Sequence, residues 1–344
     1  MAYVQISTPE DFGVLSCLEF GQASDTLLIA SHSRVALLYS CQSHGVSPSY
    51  NLTAEVKTPS PIMAVAHSDH SSYAGCLDGT LRQFDYENTR MTSPLTTATI
   101  DQHPSSPINY VRSVDPNLII YTTIDGSIKY FDPRMSRLVD SYTCPAKLFA
   151  MDASPRTLTV GLSGSQVQLF DLRNRSNPWQ SRGSGLRYQM SCIRNFPSGE
   201  GFALSSIDGR VSIEYNDLSE EVQQKKFAFK CHRVPDHDEG VDKVYPVTGL
   251  RFHKQYNTLF TAGGDGHVCV WNWEKRKRMK QFPKVPGTDG ISQLDINNTG
   301  SLMAVGTTDD GFMRLPDTNS SFVPRQSQVF LRRLDEIDCK PKPK

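Results

Sequence analysis

Apolar residues in this chain alternate with polar ones over short runs, and sustained helical periodicity is hard to find. A period of two sends successive side chains to opposite faces of a pleated strand. Turn dipeptides break the runs: Asp78-Gly79, Asp125-Gly126, Asp208-Gly209 and Asp265-Gly266 each follow one apolar strand and precede another. Asp-Gly in that setting is the strongest short-range hairpin signal, because glycine takes positive φ freely. Gly164-Ser165 and Asp310-Gly311 occupy equivalent places, and Ser33-Arg34 is a weaker first copy. Seven such turns, spaced by about 40 to 57 residues, match the repeat length of a four-stranded propeller blade.

The repeating units align by eye: LLIASHSRVALLYS, SYAGCLDGTLRQFDY, LIIYTTIDGSIKYFDP, LTVGLSGSQVQLFDL, FALSSIDGRVSIEYN, LFTAGGDGHVCVWNW and LMAVGTTDDGF. Each joins a strand with small residues before the turn to a strand that ends in an aromatic after it. Asp85, Asp132 and Asp171 follow phenylalanines where WD repeats usually show Trp-Asp. The pattern resembles a degenerate WD-repeat array and predicts an all-β, seven-bladed WD-repeat β-propeller. A β-sandwich with regular hairpins is the alternative, and it accounts less well for the repeat count. Blades need neighbours to cover their faces, so the ring must close. The opening segment YVQIS alternates like a strand and precedes the first unit, so it is expected to complete the last blade beside VFLRR at 329–333. The organisation expected is one propeller over 1–337 and a flexible basic tail, DCKPKPK, over 338–344. Longer loops are expected at 176–185 and at 311–328.

Basic and acidic residues number 36 each, so the formal charge is zero and electrostatic recognition must be local. The N-terminal MAYVQISTPEDFG shows no apolar core flanked by basic residues, and no apolar run reaches the roughly 20 residues that cross a bilayer. The eight cysteines form no CxxC pair and mostly sit in apolar alternating segments, where cysteine acts as a small core residue. The expectation is a soluble, reduced, intracellular, monomeric protein with no membrane partner.

Catalysis finds little support: there is no G-x-S-x-G elbow, no phosphate-binding Gly-rich loop opening a helix and no His-Glu-x-x-His pair. No catalytic residue, cofactor or metal is expected. His232, His237 and Asp238, with Asp236 and Glu239, read as a solvated loop. The basic run 274–280, EKRKRMK, reads as a solvated turn between outer strands. It lacks the interleaved aromatics that single-stranded nucleic acid would stack on, and Trp271 and Trp273 read as packing residues, so no nucleic-acid partner is expected. The informative stretch is 203–233, two strands separated by a charged loop. Arg210 follows the Asp208-Gly209 turn, and Lys230 shares a strand face with Ala228 and His232, opposite Phe227, Phe229 and Cys231. If the strands pair, the planar fork of Arg210 and the mobile charge of Lys230 converge on one anion. A phosphothreonine, with about −1.5 to −2 charge, is a fitting ligand. The competing reading is a solvated rim pair neutralised by Glu214, Glu220 or Glu221.

IEYNDLSEEVQQKKFAFKCHR, YPVTGLRFH, NTLFTAGGDGHVCVW, LRYQMSCIRNFP and FDPR at 131–134 closely resemble the Bub-type mitotic-checkpoint propeller family. The resemblance spans nearly the whole chain and is strongest over 186–282. It implies a spindle assembly checkpoint adaptor, nuclear and kinetochore-associated in mitosis, that holds a GLEBS-type segment of the Bub kinase and its relative. It also implies reading of phosphorylated Met-Glu-Leu-Thr (MELT) repeats of the kinetochore scaffold, with Arg210 and Lys230 as the phosphothreonine-binding cations. The GLEBS-type partner surface falls on His32, Ile124, Tyr188, Ser191 and Arg194. Three of these depart from the family: His32 and Ile124 replace tryptophans, and Ser191 replaces an arginine, with Arg194 three positions on. The sibling propeller of mRNA export, a nuclear-pore-associated adaptor, is the alternative. EVQQKKFAFKCHR and KRKRMKQF favour the checkpoint member.

Overall fold

The computed structural model describes residues 2–43, 45, 47–68, 71–95, 106–236, 240–309 and 326–342. Its strands form seven four-stranded antiparallel sheets and one two-stranded hairpin. Six sheets use four consecutive strands, as in Met190–Asn195, Gly201–Ser206, Arg210–Tyr215 and Phe227–Lys230 of the fifth. The seventh combines Gly290–Ile296, Leu302–Thr308 and Val329–Arg333 with the N-terminal strand Val4–Ile6. Val4 stands opposite Leu331 and Ile6 opposite Val329, so the first strand of the chain completes the last blade. The innermost strands touch in cyclic order from first to seventh and back to the first. The fold is a seven-bladed β-propeller.

Burial explains which strands the sequence reveals. The second strand of a blade lies between two neighbouring blades, and Leu118–Thr123 and Gly201–Ser206 are buried along their whole length. The outermost strand meets solvent, and Arg137–Thr143 alternates exposed with half-buried residues. Polar composition hides such an edge: Gln180–Gly183 is the outer strand of the fourth blade, inside the segment expected to be a loop over 176–185. The expected loop at 311–328 lies mostly outside the described residues.

Aromatic packing between the fifth and sixth blades sets the frame around the candidate site. Phe196 stacks on Trp273 at 4.7 Å, and Phe229 lies 4.6 Å from Trp271. Both indoles are buried with their N–H groups satisfied, Trp271 donating to Thr261 Oγ1 and Trp273 to the Asn257 carbonyl. His232 is not in a solvated loop. It takes a φ of 48°, which breaks the strand alternation and turns the ring inward. There its nitrogens meet Asp265 Oδ1 at 2.9 Å and Thr261 Oγ1 at 2.8 Å. It therefore leaves the face it was expected to share with Lys230. His237, Asp238 and Glu239 lie outside the described residues.

Two further expectations are corrected by packing. The basic run is largely a strand, Lys277–Gln281, the outer edge of the sixth blade. Arg276 covers the Phe227 ring at 4.4 Å, and Lys280 pairs with Asp338. The tail does not fray at 338: a short helix, Glu336–Cys339, seats Cys339 in the cluster containing Phe282 and Leu334. Thr258 Oγ1 also donates to the Cys339 carbonyl at 3.1 Å. Truncation before 336 is expected to lower Tm by several degrees, whereas removing only 341–344 shifts it by less than about 1 °C; scanning calorimetry separates the two.

Candidate functional site

In the fifth blade, strands Arg210–Tyr215 and Phe227–Lys230 pair with Arg210 directly opposite Lys230. The adjacent pair is bonded from the Cys231 N–H to the Gly209 carbonyl at 3.0 Å. Arg210 and Lys230 therefore form a non-hydrogen-bonded pair, the arrangement in which facing side chains approach most closely. The inward packing of Phe227 and Phe229 fixes Lys230 on the outer face. The turn beneath them needs its glycine: Gly209 has a φ of 65°, and a Cβ there would lie 2.7 Å from the Cys231 carbonyl oxygen.

Like charges set opposite each other across a sheet destabilise it by a few tenths of a kcal/mol or more. Asp208 offsets part of that cost, accepting from Arg210 Nε at 2.9 Å. Glu214, considered as the neutralising partner, instead faces Arg182 and Lys226. Among the described residues the two terminal nitrogens of Arg210 and the Lys230 ammonium have no hydrogen-bond partner. The pair thus presents donors to solvent at the cost of local repulsion, an arrangement suited to a doubly charged oxyanion. Arg233, not singled out in the sequence, joins the same turn by donating to the Asp208 carbonyl at 2.9 Å.

The turns between second and third strands share one rim of the propeller, hereafter the upper rim. His32 and Ile124 stand in those turns of the first and third blades, exposed, and Tyr188 lies 57% exposed on the loop entering the fifth. Leu77 and Ile207 hold the equivalent turn position in the second and fifth blades and are also exposed. Sequence reasoning missed these two, although each immediately precedes an Asp-Gly. Ser191 ties two blades together, its hydroxyl donating to the Val247 carbonyl at 2.5 Å. Arg194 stands opposite Ala203, four residues below Met190 and about 13 Å down the innermost strand. It belongs to the wall of the central channel, while His32, Ile124 and Tyr188 belong to the rim.

The channel wall repeats. In every blade the innermost strand carries a register irregularity near its start, after its first residue in six blades and after its second in the seventh. Two residues past that irregularity stand, in ring order, Glu19, Ala66, Arg112, Asp152, Arg194, Arg251 and Asp295. Asp152 meets Arg112 at 3.5 Å and Arg194 at 3.7 Å, and accepts the Asn195 N–H of the next blade at 2.8 Å. Asp295 meets Arg251 at 2.5 Å and accepts the Phe20 N–H of the first blade at 2.7 Å. Glu19 has no ion pair among the described residues, and burial pushes its carboxyl up to about 7. The folded chain therefore keeps a proton that the unfolded chain, near pKa 4.3, has released. Stability from this group falls as pH rises from about 4 to about 7, and the full cost is present above that. Glu19→Gln is expected to raise Tm at pH 8 by an amount equivalent to roughly 1–2 kcal/mol, the gain vanishing below about pH 5. Thermal melts of both proteins across that range check the sign.

Four similarities to known proteins bear on this arrangement. A family model described as WD domain, G-beta repeat, matches residues 230–272, which start at Lys230. Mitotic checkpoint protein BUB3.1 of Arabidopsis thaliana is 33% identical over 345 residues, covering 99% of this chain and 95% of that protein. Spindle assembly checkpoint protein bub3 of Schizosaccharomyces pombe is 35% identical over 266 residues, 76% of this chain and 79% of its own length. The Poly(A)+ RNA export protein of the same yeast is 26% identical over 346 residues, 99% of this chain and 93% of that one.

Proposed function

This chain belongs to the Bub3 family of mitotic checkpoint WD-repeat propellers, and from that premise we propose that it reads phosphothreonine on a kinetochore scaffold and brings checkpoint kinases to it. Its role is in the spindle assembly checkpoint, as a scaffold. The observation carrying the finer reading is the facing pair of Arg210 and Lys230, whose unpartnered donors are set on one exposed sheet face. The ligand is a phosphorylated Met-Glu-Leu-Thr segment lying along the outer strands of the fifth blade. A GLEBS-type kinase segment lies on the upper rim, over His32, Ile124 and Tyr188. The protein is a nuclear monomer that gathers at kinetochores in mitosis. Smaller side chains at 32 and 124 than the family's tryptophans call for a kinase segment matched to this chain.

Titration of a fluorescent MELT-type peptide, phosphorylated against unmodified, tests the reading. Tighter binding of the phosphorylated form, weakening with added salt, is expected; equal affinity for the two forms sinks it. The RNA-export reading draws on the full-length likeness to the yeast export protein. It predicts a tagged copy at the nuclear rim, with no enrichment on unattached kinetochores.

A further inference from the structure

The central channel encloses a cavity of about 290 Å³, and its wall presents three guanidinium groups, Arg112, Arg194 and Arg251, with a single carboxylate, Glu19. Asp152 and Asp295, which balance two of those charges, pair with the arginines without lining the cavity. Each arginine is held by the same device: Nη1 donates to the carbonyl of the preceding residue, at 3.0, 2.7 and 3.0 Å respectively. Among the described residues the Nη2 groups of all three have no hydrogen-bond partner. The guanidiniums are more than four-fifths buried, with side-chain exposures of 19, 15 and 17%. Ala66, the second-blade member of the ring, adds no charge to it. Charge–dipole and charge–charge interactions are stronger for groups buried to that degree than at an open surface.

We propose that this channel is a binding site for a small oxyanion of two or more negative charges, phosphate- or carboxylate-bearing, held by Arg112, Arg194 and Arg251. The site is distinct from the Arg210–Lys230 pair and does not depend on it. Planar forks suit the oxygens of such an anion. Bound there, the anion links the third, fifth and sixth blades across the channel. His32 lines the same cavity and stands at the upper rim, so that rim is the entrance. The groups that face Glu19 are Arg112, Arg251 and Asp295, with Cys17 beside it, whose thiol burial pushes up to about 12 and so keeps neutral. Ionisation of Glu19 near neutral pH adds a negative charge to the wall and opposes the anion.

The test is calorimetric titration of the full chain with pyrophosphate, citrate and sulfate, against sodium chloride at matched ionic strength. Saturable binding of pyrophosphate or citrate is expected, and the better of the two identifies the phosphate or carboxylate class. Arg194→Gln, which removes the most loosely paired arginine, should weaken that binding about tenfold or more. Arg210→Ala with Lys230→Ala should leave it within about twofold. Sulfate, whose charge is constant over the range, should bind more tightly at pH 6 than at pH 8. Glu19→Gln should tighten binding at pH 8 and flatten that dependence, a readout that stands even where Arg194→Gln fails to fold. No saturable binding above the chloride control overturns the proposal. So does binding that survives Arg194→Gln, that is lost only with Arg210→Ala and Lys230→Ala, or that is indifferent to Glu19→Gln.

Discussion

Alanine at both Arg210 and Lys230 is expected to abolish the preference for phosphorylated over unmodified MELT-type peptide. Affinity for the phosphorylated form should fall about 100-fold, while that for the unmodified form stays within about twofold. A hydrogen bond to a charged group contributes about 1.5–3 kcal/mol, and the low end applies on an open sheet face where solvent screens it. Two cations then give about 3 kcal/mol, or two decades. The single variants should differ. Lys230→Ala removes a point charge and relieves the repulsion with Arg210, so it should cost roughly tenfold in affinity and nothing in Tm. Arg210→Lys keeps the charge and loses the fork, so it should fall between wild type and Arg210→Ala. The slope of log affinity against log salt should flatten with each cation removed. Fluorescence anisotropy reads all of these. A double variant that loses both peptides equally would show that the residues hold the strand pairing and do not read phosphate.

The blade turns and the paired cations are legible in the sequence because their determinants are local. Asp-Gly fixes a hairpin within four residues, and the alternation Phe227, Phe229 against Ala228, Lys230 fixes which face a side chain takes. Depth in the ring is not local. Arg194 sits only three residues from Ser191, yet they play different parts, because the strand descends the channel past a register irregularity that no residue type announces. The ring of charges from Glu19 to Asp295 is invisible for the same reason: its members lie scores of residues apart and meet only once the blades close. His232 escaped because a single positive φ reversed its side chain, and strand alternation extrapolated past the strand end gives the wrong face. The outer strand Gln180–Gly183 and the packed tail through Cys339 escaped because their partners, not their own composition, hold them in place.

The largest stability loss is expected at Asp295, where the ring shuts. Its carboxylate holds Arg251 of the sixth blade through one oxygen and the Phe20 N–H of the first blade through the other, so one side chain spans three blades. Asp295→Ala leaves a guanidinium without its counter-charge and a buried N–H without an acceptor. Breaking one partner of a buried pair costs about 3–5 kcal/mol, on the order of 10 °C in Tm for a domain of this size. Asp295→Asn retains an acceptor for the Phe20 N–H and should lose less. Adding Arg251→Leu to Asp295→Ala should recover part of the loss, because no uncompensated charge then remains in the channel, and a double-mutant cycle measures that coupling. Asp152→Ala is the internal comparison: its two arginines stand at 3.5 and 3.7 Å, and it lies within the continuous run of blades, so its loss should be smaller. An Asp295→Ala protein that melts within about 2 °C of wild type would mean that the outer-strand pairing of Val4–Ile6 with Val329–Arg333 closes the ring unaided. A loss of the expected size would mean that closure is made twice, by backbone at the outer edge and by charge at the channel.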